Sequence, residues 1–211
     1  MVLALPKTGK SIFCLQMALA LARGEPFLKW TPEHSWRVTF IEWDAPVEEF
    51  QAQLFALDSA PPTTLDIIGP STASMPLLDS EAEQQAVATR LGSHQSELVI
   101  FDALESLTLR NINEHQGAAA TIHTAKRLAH QRPFIMIHHP RKEQPDLDLA
   151  DARQAAAGHH FFSLNASTLI HLRDASITVQ ARRGKRELIS LGRHVLNPEV
   201  ARWTLPDPVD L

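Results

Sequence analysis

Near the start of the chain stands the run Ala4-Leu5-Pro6-Lys7-Thr8-Gly9-Lys10-Ser11, whose residue types together suit one task. A loop that wraps a phosphate must turn successive backbone N–H groups inward, and a glycine lets the chain approach closely because no Cβ intervenes. Gly9 provides that approach, Lys10 can reach β- and γ-phosphate oxygens, and the Ser11 hydroxyl can ligate Mg²⁺. The pattern is G-x-x-x-x-G-K-[ST] with Ala4 in place of the first glycine, tolerable if that residue keeps a negative φ. Leu5, Pro6, Lys7, Thr8, Gly9, Lys10, Ser11 and Ile12 are thus the expected contacts to a nucleotide, with ATP and Mg²⁺ the expected ligands.

Three further stretches bring chemistry to the ends of apolar runs. Val38-Thr39-Phe40-Ile41 closes with Glu42-Trp43-Asp44, and Leu98-Val99-Ile100-Phe101 closes with Asp102. A carboxylate at Asp102 could hold Mg²⁺ opposite Ser11, and an acid at Glu42 or Asp44 could serve phosphoryl transfer. Phe134-Ile135-Met136-Ile137 runs into His138-His139-Pro140-Arg141-Lys142. Near the end, Arg182-Arg183-Gly184-Lys185-Arg186 puts four cations in five residues. That cluster admits two readings, a solvated tip protecting a sheet edge or a contact to a specific anion.

The elements that must position these residues are legible in outline. Apolar residues at helical spacing over 12–22 (Ile12, Leu15, Met17, Leu19, Ala22), stopping at Gly24, predict a helix whose positive end faces the loop. Short apolar runs ending in polar residues predict buried parallel strands at 38–41, 65–68, 98–101 and 134–137, since ligands bind beyond the carboxyl ends of such strands. Pro46 opens a helix to 57, Asp79-Ser80 caps one to about 91, and another spans about 118–130. Between them lies a polar loop, 106–117, containing Arg110. Residues 143–157 lack apolar periodicity and are expected as a loop or frayed helix. Alternation at 168–172, 177–180 and 188–191 predicts strands, the last two forming a hairpin around the cationic cluster. The fold class is α/β, a doubly wound, mostly parallel sheet with antiparallel C-terminal strands, in one domain over 1–211.

Composition bounds the alternatives. At 211 residues one α/β core is the natural solution. A net charge of −4 argues against a broadly basic nucleic-acid surface, so any DNA contact must be local. Cys14 stands alone and excludes an internal disulfide, fitting a cytoplasmic setting, and no apolar run approaches bilayer length. Eleven histidines raise the question of metal, but His138-His139 and His159-His160 lack the spacing of a metal centre.

The order of these motifs resembles the RecA-like ATPases, with hexameric replicative helicases of the plasmid RepA type and AAA-type relatives nearest. The resemblance rests on Pro6 to Ser11, Phe40-Ile41-Glu42-Trp43-Asp44, Leu98–Asp102 and Ile137 to Lys142. It implies an ATP-hydrolysing ring, a hexamer as in that family, with single-stranded DNA contacted near Arg110 and Arg141-Lys142. It also implies that Asp44, beside Glu42, is the general base, in a place where the family usually carries Glu. His139 would sense the γ-phosphate, the stretch 155–163 with Gly158 would follow a DNA-binding loop, and Arg183 would reach a neighbour's site. In that family a segment precedes the first strand, so a missing N-terminal segment is expected here. The alternatives to a helicase motor are a nucleotide-dependent assembly switch of the same group or an ATPase remnant.

Overall fold

The structure is a computed structural model and describes residues 1–3, 8–70, 76–138, 166–173, 176–181, 186–190, 192–197 and 200–204. Eight strands form one sheet in the order β3-β2-β4-β5-β1-β6-β7-β8. They are β1 Val2–Leu3, β2 Val38–Glu42, β3 Leu65–Ile68, β4 Leu98–Asp102, β5 Phe134–His138, β6 Thr168–Arg173, β7 Ser176–Ala181 and β8 Arg186–Ser190. The pairings from β3 through β6 are parallel, and β7 and β8 continue antiparallel. The expected α/β class, with parallel strands first and antiparallel strands last, is what the chain adopts.

Strand alternation decides which helices cover which face. Val38 and Phe40 of β2 and Leu98 and Ile100 of β4 join one core with helices α1 (Lys10–Arg23) and α2 (Val47–Leu57). Ile41, Val99 and Phe101 point the other way, into a core with α3 (Glu81–His94) and α4 (His115–Ala129). A strand buried on both faces must be apolar at every position, which is why the runs in β2 and β4 are continuous. Before the terminal acids Glu42 and Asp102, Thr39 breaks the run, and its Oγ1 is satisfied by Ser96 Oγ at 2.6 Å and His94 Nδ1 at 3.2 Å.

The helices end as their residues dictate. Gly24 takes φ 71° past α1, where its N–H and that of Glu25 close on Leu21 and Ala20 carbonyls. Ser80 caps α3 by accepting from Glu83 N–H. Helix α4 begins three residues earlier than its apolar pattern suggests, and it does so without a side-chain cap. One pair of strands escapes the sequence pattern altogether: β9 (Gly192–Asn197) and β10 (Val200–Thr204) form a separate antiparallel ribbon beside α1 and α2.

Candidate functional site

Parallel pairing brings the carboxyl ends of β1, β2, β4 and β5 to a single edge of the sheet. Leu3 is register partner to His138, and Glu42 is register partner to Asp102. Strand β5 lies between β1 and β4, so the chain leaving Leu3 stands about two strand spacings, roughly 9–10 Å, from Asp102. By alternation Glu42 and Asp102 share the face of Phe40 and Ile100, the face covered by α1. The loop's helix and the two acids therefore look into the same space.

The end of α1 facing that space is built for an anion. Gly9 caps it at φ 82°, a conformation costly for any residue with a Cβ. The first helical bond is Phe13 N–H to Gly9 O at 2.8 Å, so the amides of Ser11 and Ile12 belong to the end turn. No acidic residue stands in that first turn. The Ile12 side chain is buried in the core, leaving only its amide to meet a ligand. Lys10 is itself buried; burial lowers its pKa, and Asp102, Glu105 and Asp44 oppose that shift, in that order. An ammonium that feels three carboxylates at once fixes the centre of the site.

Asp102 is 1% exposed, and the Ser11 hydroxyl hydrogen-bonds to its carboxylate. Its Oδ2 is buried with no hydrogen-bond partner among the described residues. A buried carboxylate oxygen left unmatched is costly, and a hard cation held jointly with a hydroxyl removes that cost. The donor set thus fits Mg²⁺. Burial raises the Asp102 pKa to about 6, and burial together with the Asp102 charge raises that of Glu42 to about 8. Ionising Glu42 beside a charged Asp102 is therefore disfavoured.

Glu42 and Asp44 divide their work. Glu42 is 1% exposed, and its Oε1 accepts Asp44 N–H at 2.7 Å and Ala45 N–H at 2.9 Å. It holds the turn in which Asp44 sits. Trp43 N–H adds a bond to Asp102 O at 2.7 Å, joining that turn to β4. Asp44 is exposed, and its Oδ1 accepts the Ser106 hydroxyl at 2.5 Å. On the far side His138, fully buried, brings Nδ1 within 2.7 Å of Glu105 Oε1. Glu105 and Ser106 were not singled out by motif; their only sequence signal is that they follow a strand whose end carries Asp102.

Leu5, Pro6, Lys7, His139, Arg141, Lys142, Gly158 and Arg183 lie outside the described residues. Arg110 is described, and its guanidinium is engaged: Nε lies 3.0 Å from Asp79 Oδ1, and its NH groups donate to Thr124 Oγ1 and Leu78 O. Asp79 also accepts Thr108 Oγ1 and Leu109 N–H, so it secures the whole bend that carries Arg110. Among the described residues no helix is long and apolar enough to cross a membrane.

A family model described as an AAA domain matches residues 1–145. The fold is similar to the crystal structure of a KaiC-like protein from the hyperthermophilic archaeon Pyrococcus horikoshii OT3. That match has a TM-score of 0.60 at 12% identity and covers 96% of this chain and 88% of that one. No curated protein matches the chain.

Proposed function

The chain belongs to the AAA domain family and is a RecA-like P-loop ATPase domain; from that premise we propose that it hydrolyses ATP with Mg²⁺, in a ring of like subunits that engages single-stranded DNA. The observation that carries the hydrolytic reading is the gathering of Lys10, Ser11, Asp102 and Asp44 at one sheet edge, with Asp102 Oδ2 buried and unmatched among the described residues. Lys10 and the amides at the start of α1 hold the phosphate chain. Ser11 and Asp102 would hold Mg²⁺, which would supply neutralisation of phosphate charge. Asp44, exposed beside them, orients a water in line with the γ-phosphorus and accepts its proton as ADP leaves. Glu42 suits that task less, because it is buried, held by two amides and protonated near neutral pH.

A second reading, a nucleotide-dependent assembly switch without translocation, is favoured by the state of Arg110, whose guanidinium already serves Asp79 and Leu78. Phosphate release measured with and without Mg²⁺, with and without single-stranded DNA, and at several protein concentrations decides between them. The motor reading expects Mg²⁺-dependent turnover that rises per subunit with concentration and again with DNA. Turnover indifferent to DNA supports the switch. No turnover under any condition contradicts hydrolysis. In the same assay Asp102→Asn is expected to raise the Mg²⁺ concentration needed for half-maximal rate by about tenfold or more, from loss of the metal's carboxylate.

A further inference from the structure

We propose that Ser106 is a positioning residue for Asp44, setting one carboxylate oxygen so that the other meets the attacking water; this rests on the reading of Asp44 as the base. The backbone of Asp44 is well fixed by Glu42 and by the Trp43 bond to Asp102, but backbone bonds leave side-chain torsions open. An exposed aspartate swings among rotamers, and a base must sit within hydrogen-bond reach of its proton. The Ser106 hydroxyl, 2.5 Å from Asp44 Oδ1, removes that freedom. A hydroxyl has one proton to donate, so it commits Oδ1 and leaves Oδ2 to the water.

Ser106 can impose an orientation because its own turn is anchored. Leu104 N–H bonds Ile137 O at 2.9 Å, Ser106 N–H bonds Ala103 O at 3.0 Å, and Leu107 N–H reaches Leu104 O at 3.3 Å. Leu104 and Leu107 are fully buried, and between them Glu105 meets His138 at 2.7 Å. The turn thus joins β5 to the turn after β2. Ser106 touches Asp44 from a strand end 62 residues away in sequence, so the pairing is a property of the fold.

The test is a mutant cycle on the full chain: Ser106→Ala, Ser106→Thr, Asp44→Asn and the Asp44→Asn, Ser106→Ala double variant, each read for kcat, KM for ATP and melting temperature. The expected result is a kcat about 10- to 100-fold lower in Ser106→Ala, with KM within about twofold, since misplacing a reacting group costs rate and not binding. Ser106→Thr keeps the hydroxyl and should retain most of the rate. In the Asp44→Asn background Ser106→Ala should cost nothing more. If Asp44→Asn abolishes turnover while Ser106→Ala matches the parent, the positioning inference fails and the base assignment stands. If Asp44→Asn itself matches the parent, the base assignment fails and takes this inference with it. Independent, multiplying losses, or a Ser106→Ala defect that lies in KM or melting alone, also overturn it.

Discussion

Glu42 and Asp44 stand two residues apart and meet opposite surroundings, one sealed against Asp102 and the backbone, one open to solvent beside Ser106. That difference has a measurable consequence for Glu42. Its carboxyl ionises near 4.5 in the unfolded chain and near 8 in the folded one. Between those values the folded state holds the extra proton, so stability falls as pH rises through this window and levels off above it. In the metal-free protein, urea unfolding at pH 5 and pH 9 should show that loss, on the order of 3 kcal/mol. Glu42→Gln, whose amide oxygen can still accept both N–H groups, should flatten the decline; an equal decline in the variant would show that other groups cause it. The residues alone placed both acids at a strand end, and only the resemblance singled out Asp44 as the base. The division depends on which oxygen meets an amide, a strand or a hydroxyl 62 residues on, and none of that is written in local spacing.

At the scale of elements, the buried strands were legible because burial on both faces demands unbroken apolar runs, as over residues 98–101. The helix after the loop was legible because Gly9 and Gly24 bracket an apolar repeat. The ribbon β9–β10 was not, since Gly192–Asn197 and Val200–Thr204 carry neither a clean alternation nor a continuous apolar run. Two helical glycines separate packing from propensity. A Cβ on Gly117 would lie 2.1 Å from Asn111 O, against the bend that leads into α4. Gly117→Ala must push that bend away and should cost about 1–3 kcal/mol, as overpacking does. On Gly92, exposed in α3, a Cβ meets nothing within 4 Å, so Gly92→Ala should gain about 0.5–1 kcal/mol from helix propensity. Thermal melts of the two variants should move in opposite directions; a shift of the same sign in both would refute the packing account.

For the whole molecule, the sheet fixes where a neighbour could act. Ala181 ends β7 and Arg186 starts β8, on either side of residues 182–185, and Ala181 pairs with Thr168 at the start of β6. That is the edge of the sheet away from Glu42 and Asp102, and β8 is the sheet's outermost strand. Residues 182–185 lie outside the described residues, and for their cations the sequence leaves two readings, a guarded edge or a contact to the next subunit. An Arg183→Ala, Lys185→Ala variant mixed with Lys10→Ala distinguishes these. If the cations act across subunits, mixed rings hold some sites with both parts intact and activity partly returns. If mixed assemblies form and no activity returns, the cluster only guards the edge.

The claim on which the rest depends is that α1 and its loop bind the phosphates of ATP. Calorimetric titration of Mg·ATP into the parent and into Lys10→Ala, with circular dichroism confirming that both are folded, tests it directly. The account predicts saturable binding by the parent and a loss of at least about tenfold in affinity on removing the ammonium that faces Asp102, Glu105 and Asp44. Equal affinity in a folded Lys10→Ala protein would contradict it.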